Sequence, residues 1–501
     1  MKFKAIFVTL GAILFLSVFG ACSSDKDDIS MVALKGVNNV ESTGVMVGAT
    51  ETQASFSVYS SVKPNVTISD TWLTAETSEP SKLNSICQIK LSIQPNTLQM
   101  DRQATLTISA AGASISVKVT QAAAEAATEP EPEPAPSDEV QPLLGLKAMD
   151  IAKDMFAGWN IGNTLEAIGG ETAWGNPKVN ESYVAGIKAA GFNAVRIPCS
   201  WNQYIVSGSD NQIDPSWLDR VNEVVNMVTS QGMYAILNIH WDGGWLENNI
   251  GTSTKPELVE KQRALWTQIA NRLAHYNEML LFAGLNEPNA DNAAAANALL
   301  EYEQVFVDAV RATGGNNATR TLIFQGPNTD INTTFDNYNQ NPTDPAGEGY
   351  MMAEIHYYDP YQYTIMEKDE SWGKVAWFWG ADYHMKGSDR NSTWGEEDWM
   401  RGQFDKMKTK FVDNNIPVIV GEYGAYPEEH YSSLQSDSDK DLIKESRAYF
   451  YTCVQKYAKE RGLIPFVWDT GEIINRNNGE VKKQYMIDAI MEGANSASYP
   501  Y

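Results

Sequence analysis

Two glutamates in the second half of the chain occupy positions that suit chemistry better than core packing. Glu422 follows the apolar residues 418–420 and lies between two glycines, and Glu287 follows the apolar run 280–285 within an Asn-Glu-Pro motif. A charged side chain directly after a buried strand is costly unless it has a partner or a task. Two such carboxylates are what cleavage of a glycosidic bond requires, provided that the fold brings the two strand ends together.

The elements that carry these glutamates form a regular series. Eight apolar runs, most of them separated by a helix-like segment, follow one another through the large C-terminal part of the chain. They are residues 157–162, 194–198, 234–239, 281–285, 321–325, 351–355, 418–420 and 464–468. Repeated alternation of strand and helix implies a parallel sheet, and eight repeats in roughly 350 residues predict an α/β fold, a closed (β/α)8 TIM barrel.

One of the intervening helices can be predicted from its ends. Asp214 is a suitable N-cap, Pro215 suits the first helical position, and Gly232 is a suitable stop. The apolar residues that recur between them at helical spacing are Trp217, Val221, Val224, Val225 and Val228. We expect this face of the helix to pack on the barrel.

The predicted barrel brings the ends of the runs to one face. The runs end in, or are followed by, residues that are unusual for a core: Asn163, Arg196, His240, Asn286, Glu287, His356, Tyr358, Glu422 and Trp468. In such a barrel the C-terminal strand ends converge on the face that carries the active site. We therefore expect polar groups from seven different strands to meet there.

This set of motifs, in barrel order, resembles glycoside hydrolase family 5. The residues that carry the resemblance are Arg196-Ile197-Pro198, Asn286-Glu287-Pro288, His356-Tyr357-Tyr358, Gly421-Glu422-Tyr423-Gly424 and Trp468. It extends over about residues 143–501, and residues 159–166, 174–177 and 356–361 look like subfamily 4 of that family. That subfamily is rich in endo-β-1,4-glucanases and xyloglucanases.

The resemblance implies that Glu287 is the acid/base and Glu422 the nucleophile. Carboxyl groups about 5 Å apart would give double displacement with retention, through a covalent glycosyl-enzyme. Ionised Glu422 is expected to raise the pKa of Glu287 and keep it protonated for the leaving oxygen. Once Glu422 is esterified, that repulsion is gone and Glu287 can act as the base that activates water.

Three further residues are expected to support the pair. Arg196 and Tyr358 should hold Glu422 ionised and oriented, because a nearby cation and a hydrogen-bond donor both favour the carboxylate. Asn286 should bond the sugar 2-hydroxyl, an interaction that strengthens toward the transition state. The alternative for Arg196 is a plain salt bridge of the barrel.

A wider group is expected to bind or position the substrate. His356 and His240 would position acid and substrate, and Trp468 would offer a flat floor to the sugar beside the scissile bond. The candidate substrate-binding residues are Asn163, Trp174, His240, Trp241, Trp245, Tyr361, Trp377 and Trp468. His240 could instead be a core histidine and Trp468 mere packing. Trp241 departs from the family, many of whose members carry a second histidine there, and this concerns the neighbouring sugar subsite.

The N-terminus is expected to direct export and anchoring. Lys2 and Lys4 precede the apolar residues 5–19, which fits a signal peptide over residues 1–21 better than a membrane-spanning helix. Cys22 after two small residues resembles a bacterial lipobox, which would place a lipid on its sulfur. Residues 22–35 then resemble the acidic tether of Bacteroidetes surface lipoproteins, implying a protein anchored in the outer membrane at the cell surface. The alternative is a plain secretory signal.

Residues 36–122 differ from the rest of the chain in their sequence pattern. Residues 104–108 and 115–119 alternate with period two around Ala111-Gly112-Ala113, which predicts a hairpin within a small all-β, immunoglobulin-like sandwich. Trp72-Leu73 and residues 119–121 look like the BACON domain of Bacteroidetes surface enzymes. We expect Phe56 and Trp72 to fill its core rather than bind glycan, which favours a spacer role.

The remaining sequence features limit the partners. Residues 123–142 repeat Glu-Pro and predict a stiff, extended linker. The net charge of -25 argues against binding to nucleic acid or anionic lipid, but not to a neutral polysaccharide. Of the four cysteines, Cys199 and Cys453 are expected to be buried free thiols. We expect a monomer.

No cofactor or metal is expected. The histidines form neither an HxH nor an HExxH spacing, and glycoside hydrolysis needs no metal. By analogy of fold, the preferred function is endo-β-1,4-glucanase activity on xyloglucan, with mixed-linkage β-glucan or cellulose next and β-mannan last. The alternative from another class is a surface lipoprotein that binds glycan on a catalytically dead barrel.

Overall fold

A computed structural model describes residues 34–38, 44–80, 86–98, 100–110, 112–124, 139–427 and 436–501. The chain divides into two compact units, Met1–Glu133 and Pro134–Tyr501. The predicted signal peptide, Cys22 and nearly all of the predicted tether lie outside the described residues, as does most of the predicted linker. Predictions about those segments therefore remain predictions.

The first unit is built from strands. These are β1 (Leu34–Asn38), β2 (Val45–Val47), β3 (Gln53–Ser60), β4 (Asn65–Ile68), β5 (Leu73–Thr77), β6 (Ile86–Ile93), β7 (Arg102–Ala110) and β8 (Ala113–Gln121). One four-stranded sheet has the order β1-β3-β6-β5 and the other the order β2-β8-β7-β4. Strands β7 and β8 form the predicted antiparallel hairpin, and the two sheets confirm the all-β sandwich.

The core of this unit contains the aromatic residues that sequence reasoning assigned to it. Phe56 and Trp72 are 1% and 8% exposed and belong to one apolar cluster between the sheets. The guanidinium of Arg102 lies 4.4 Å from the centroid of the Trp72 ring. Both predictions of core burial are therefore confirmed.

The second unit is an eight-stranded barrel. Its strands are β9 (Gly158–Ile161), β10 (Ala194–Ile197), β11 (Tyr234–Asn238), β12 (Leu280–Ala283), β13 (Leu322–Gln325), β14 (Met351–Tyr357), β15 (Val418–Tyr423) and β16 (Leu463–Asp469). They are all parallel and close in the order of the chain, with β16 pairing back to β9. The predicted (β/α)8 barrel is confirmed.

Helices follow most barrel strands. They are α1 (Ala148–Asp154), α2 (Glu181–Ala189), α3 (Pro215–Thr229), α4 (Pro256–Arg272), α5 (Ala293–Ala312), α6 (Ile331–Asn337), α7 (Tyr361–Thr364), α8 (Glu397–Lys410), α9 (Asp437–Glu460) and α10 (Gln484–Asn495). Short 3₁₀ helices span Asn202–Tyr204, Asp242–Gly244, Glu247–Asn249, Gly315–Ala318, Pro327–Thr329, Ala381–Tyr383 and Val412–Asn414. Among the helices described, none has both the length and the apolarity to cross a membrane.

Helix α3 shows how the sequence sets an element boundary. The side chain of Asp214 accepts a hydrogen bond from the backbone N–H of Ser216, and Pro215 opens the helix, as predicted. Its five predicted apolar residues are all buried.

Cys199 and Cys453 are buried free thiols, which confirms the prediction made for these two cysteines.

Alternate residues of each barrel strand face the helices or the barrel interior. On β15, Val418 and Val420 pack in the layer between strands and helices, whereas Ile419 packs in the interior cluster. Ile151 and Met155, in α1 and just after it, join that interior cluster, so α1 covers the N-terminal end of the barrel. The C-terminal strand ends are left to carry the polar groups.

Candidate active site

A bulge in β15 turns Glu422 into the barrel. One step along β14 corresponds to two residues of β15, from Val420 to Glu422, so Gly421 is the extra residue. Because Val420 faces the helices, regular alternation would also direct Glu422 outward, and the bulge reverses this. A β-carbon on Gly421 would lie 1.9 Å from Oε1 of Glu354, so this position requires glycine.

Glu422 is held by donors from two other strand ends. Nη1 of Arg196, on β10, donates to Oε1 of Glu422 at 2.9 Å, and the Tyr358 hydroxyl donates to Oε2 at 3.1 Å. Nε2 of His240 lies 4.0 Å from Oε1. The carboxylate is buried and fixed in orientation, as a nucleophile must be.

Glu287 faces Glu422 across His356. Nδ1 of His356 lies 2.7 Å from Oε1 of Glu287 and 3.8 Å from Oε2 of Glu422. One ligand-type atom from each of the three residues lies within 4.8 Å of the other two. The side chain of Glu287 is 43% exposed against 8% for Glu422, so Glu287 is the carboxyl that solvent can reach.

These three residues are also a potential metal-ligating group, but their atoms are already engaged with one another. Among the residues that the structure describes, Glu287, His356 and Glu422 are the three potential metal ligands that lie close enough together to share an ion. His356 bonds Glu287, and Arg196 neutralises Glu422. The arrangement fits acid/base work between two carboxylates.

Glu354 links the two cations of the site, and sequence reasoning missed it. Its Oε1 lies 2.9 Å from Nε of Arg196 and 3.4 Å from Nε2 of His356, and its Oε2 accepts from Nε2 of Gln325 at 2.6 Å. All four of these side chains are buried. The sequence does contain a signal for Glu354. It stands two residues before His356 in the same strand, so the two side chains must lie on the same face of that strand.

Asn286 and Asn160 complete the support of Arg196. Nη2 of Arg196 donates to Oδ1 of Asn286 at 2.9 Å, and Nη1 donates to Oδ1 of Asn160 at 3.1 Å. The amide oxygen of Asn286 is thus held by Arg196, which presents its NH₂ group as the donor for a sugar hydroxyl. Asn160, on β9, was also missed as a site residue, although it lies within the motif 159–166 that supports the resemblance to subfamily 4.

The electrostatic balance of the pair differs from the expectation. Burial would raise the pKa of Glu287, but the hydrogen bond and charge of His356 outweigh burial and lower it. Burial raises the pKa of Glu422, and the charge of Glu287 adds to this, against the opposing effects of His356 and Arg196. The expectation that Glu287 is kept protonated is therefore wrong for this structure, because His356 outweighs the repulsion between the two carboxylates at Glu287.

His356 is protonated at neutral pH in this structure. Burial opposes a charged imidazole, but the carboxylates of Glu422, Glu287 and Glu354 raise the pKa of His356 to about 10. His240 behaves in the opposite way. Burial, together with the charges of Arg196 and His356, holds the pKa of His240 well below its usual range, so it is neutral.

Several predicted substrate-binding residues lie around this group. The rings of Trp468 and His240 are stacked with centroids 5.7 Å apart. Asn163, in the left-handed region with φ 58°, lines a cavity together with Tyr358 and Trp468. Trp241 follows His240 and is 41% exposed.

Other aromatic candidates have different surroundings. Trp245 donates to Oδ2 of Asp242 at 2.8 Å, and Nζ of Lys261 lies 4.4 Å from its ring centroid. Trp377 is half-buried, with the guanidinium of Arg390 4.8 Å from its ring centroid. The role of these two tryptophans in substrate binding stays a prediction.

Trp174 and Tyr361 are exposed on loops above the barrel. Trp174 is 44% exposed in the segment after β9. Tyr361 is 43% exposed at the start of α7, and its ring centroid lies 5.9 Å from that of Trp372. The role of both residues in substrate binding stays a prediction.

Known families and structures resemble both units. Residues 160–472 match the family model described as cellulase (glycosyl hydrolase family 5), and residues 58–122 match the BACON model, described as a putative N-terminal binding domain. The chain is 34% identical over 426 residues to a xyloglucan-specific endo-beta-1,4-glucanase of Bacteroides ovatus. That match covers 81% of this chain and 82% of the relative.

Solved structures agree with the sequence relatives. A Bacteroides ovatus GH5 xyloglucanase in complex with a XXXG heptasaccharide is similar with a TM-score of 0.65 at 31% identity, covering 92% of this chain and 100% of the other. A GH5-4 broad specificity endoglucanase from Bacteroides salanitronis is similar with a TM-score of 0.62 at 34% identity, covering 71% and 97%. With the barrel, the paired glutamates and a family match over more than half of its length, the chain belongs to glycoside hydrolase family 5, and its N-terminal unit contains a BACON domain.

Proposed function

We propose that the protein is a retaining endo-β-1,4-glucanase whose preferred substrate is xyloglucan. The observation that carries the hydrolytic activity is the pair Glu287 and Glu422, whose carboxylate oxygens approach within 4.8 Å around His356. Retaining glycosidases hold their two carboxyl groups about 5–5.5 Å apart, whereas inverting enzymes need about 6.5–9.5 Å to admit a water molecule. The separation therefore favours double displacement.

In the first step an oxygen of Glu422 attacks the anomeric carbon and forms a glycosyl ester. The bond from that carbon to the leaving oxygen breaks, and Glu287 gives that oxygen its proton. Arg196 and Tyr358 aim the attacking carboxylate, and the NH₂ group of Asn286 bonds the sugar 2-hydroxyl. Trp468 supports the ring of that sugar.

His356 supplies the proton that Glu287 needs. In the free protein the proton lies on His356, 2.7 Å from Glu287. A substrate that covers the carboxyl of Glu287, whose side chain is 43% exposed, removes water from it. Loss of that water disfavours the ionised form and raises the pKa of Glu287. The proton then moves to Glu287 before the glycosidic bond breaks.

In the second step water hydrolyses the ester. With Glu422 esterified, one negative charge is gone from the site, and Glu287 accepts a proton from the attacking water. The sugar is released with its original configuration. Glu422 returns to the carboxylate held by Arg196 and Tyr358.

The choice of xyloglucan is supported by some of the relatives, whereas others support the alternative. A relative and a solved structure are named for xyloglucan, while the Bacteroides salanitronis enzyme is named for broad specificity. Mixed-linkage β-glucan or cellulose is therefore the second candidate. Purified protein should be incubated with tamarind xyloglucan and barley β-glucan in parallel.

The product pattern decides between them. Early products with a four-glucose backbone from xyloglucan, at a rate at least equal to that on barley β-glucan, are the expected result. Cleavage of the unbranched polymer alone would reduce the proposal to a general endo-β-glucanase. Absence of cleavage of either polymer by folded protein would favour the glycan-binding alternative.

We also propose that the protein is anchored by lipid on Cys22 at the outer surface of the cell and acts as a monomer, with the BACON domain as a spacer. The support is the charged start, apolar run and small residues before Cys22, and the buried aromatic residues of the sandwich. Cys22→Ala should move the protein from the membrane fraction to the soluble fraction, whereas Ser23→Ala should not. A membrane-bound Cys22→Ala variant would contradict the anchor, and retention of the isolated N-terminal unit by glycan would contradict the spacer role.

A further inference from the structure

The segment from α7 to the first turn of α8 exposes large aromatic side chains that the catalytic group does not use. The exposed fractions are 43% for Tyr361, 62% for Trp372, and 39% for both Trp394 and Trp399. Within the described residues, three of the five exposed tryptophans belong to this segment. We call these four residues the outer aromatic surface. Such a concentration of apolar surface on one segment is typical of a binding site.

Two of the three indole groups of this surface, those of Trp394 and Trp399, are held in place by hydrogen bonds from their N–H groups. Nε1 of Trp399 donates to Oδ2 of Asp359 at 2.8 Å, and Nε1 of Trp394 donates to Oε1 of Gln362 at 3.0 Å. The two indoles pack edge to face with centroids 5.4 Å apart. Because the N–H groups are satisfied within the protein, the parts of these rings that meet solvent are apolar.

Trp372 lies in a turn that is braced from both sides. The backbone N–H of Glu370 donates to the carbonyl of Gly373 at 2.9 Å, and that of Gly373 donates back to Glu370 at 3.2 Å. Asp369, at the start of this turn, accepts from Nη2 of Arg390 at 2.8 Å. Because Trp372 is 62% exposed on a fixed turn, its side chain is available to a partner and is already ordered.

The surface is joined to the catalytic group through adjacent residues of the chain. Tyr358 bonds Glu422, and the next residue, Asp359, bonds Trp399. A cavity of about 260 Å³ opens beside them. Its lining includes Gln362, Trp372, Lys374, Asp389, Asn391 and Trp394. Flat rings beside amide and charged groups suit a pyranose ring, whose C–H face packs on aromatics and whose hydroxyls bond polar side chains.

We propose that the outer aromatic surface binds a distal part of the β-glucan chain, beyond the sugars that Glu287 and Glu422 contact. The inference rests on the proposed function. It commits to a neutral polysaccharide because the surface runs on from the strand end that carries Tyr358, and because the net charge of -25 disfavours anionic polymers. The surface increases affinity for long chains and leaves the chemistry unchanged.

The test is the double variant Trp372→Ala and Trp394→Ala, with Phe335→Ala as the matched control. Phe335 is 38% exposed on α6 and lies outside the surface. KM and kcat are measured on tamarind xyloglucan or barley β-glucan and on a short aryl β-cellobioside. Loss of two stacking contacts should raise KM on the polymer by about three- to tenfold. The kcat values, the KM on the short substrate and the control should not change.

Three outcomes overturn the inference. The first is an unchanged polymer KM in a folded double variant, and the second is an equal loss on the short substrate. The third is a change of oligomeric state without a change of KM, which would assign the surface to contact between copies. The proposed function fails separately, if the unmodified protein hydrolyses neither polymer.

Discussion

The variant Glu354→Gln tests how the buried charges set the working pH. Glu354 lies 3.4 Å from Nε2 of His356 and 2.9 Å from Nε of Arg196, and it is fully buried. Replacing it with glutamine removes one negative charge and keeps the size of the side chain. His356 then loses one of the three carboxylates that raise its pKa to about 10.

The size of the effect follows from the distance. At 3.4 Å, a pair of unit charges interacts by about 5 kcal/mol at an effective dielectric constant of about 20. This sets a ceiling of about 3.5 pKa units, since one unit corresponds to about 1.4 kcal/mol. Glu287 and Glu422 remain beside His356, so a decrease of about 1–3 units in the pKa of His356 is expected.

Both limbs of the pH profile should therefore move to lower pH. The alkaline limb reports loss of the proton shared by His356 and Glu287, and a lower pKa means that the proton is lost earlier. The acid limb reports protonation of Glu422. Because the charge of Glu354 helps to raise the pKa of Glu422, removing that charge moves the acid limb to lower pH too. The assay is kcat/KM on a soluble β-glucan across pH, with thermal unfolding as the check of folding.

Glu303→Gln is the matched control. Glu303 is also a fully buried carboxyl of the barrel, but its hydrogen bond is to the backbone N–H of Gln325 and not to His356. Its profile should coincide with that of the unmodified enzyme. A folded Glu354→Gln variant whose alkaline limb stays in place or moves to higher pH would refute the charge assignment.

Three further variants separate the roles of the site residues. Glu422→Ala should lower kcat by at least about a thousandfold while binding of polymer persists, since it removes the nucleophile; turnover near the original rate would exclude that role. Glu287→Ala should retain cleavage of an aryl glycoside with a good leaving group, and azide should restore its turnover with a β-glycosyl azide as product; an α-azide would exchange the two roles. Gly421→Ala should lower the free energy of unfolding by about 1–3 kcal/mol, because its β-carbon would lie 1.9 Å from Glu354, whereas Gly424→Ala, with its nearest atom at 3.4 Å, should be tolerated.

The positions of the barrel strands could be predicted because each strand is a short apolar run that ends in a polar residue. Strand ends such as Arg196, Glu287 and Glu422 stand out against apolar neighbours, and the closed barrel then brings them to one face. The bulge at Gly421 could not be predicted, because it depends on the pairing of β15 with β14. It is nevertheless what directs Glu422 inward.

The electrostatics and the aromatic residues were less predictable for physical reasons. The pKa of Glu287 depends on the position of His356 between the carboxylates, which is a matter of tertiary distance rather than of motif. The sequence could not show that a neighbouring cation lies over the ring of Trp245 and over that of Trp377, because these contacts come from residues distant in the chain. Exposure of an aromatic residue on a loop is decided by the path of the loop, which periodicity does not encode.

The most direct test of the central claim is to trap the glycosyl-enzyme. The protein is incubated with a 2-deoxy-2-fluoro β-cellotrioside that carries a good leaving group, digested, and analysed by mass spectrometry. The account predicts one covalent sugar on the peptide that contains Glu422, and no label in the Glu422→Ala variant. A label on Glu287, or hydrolysis with inverted configuration and no adduct, would contradict it.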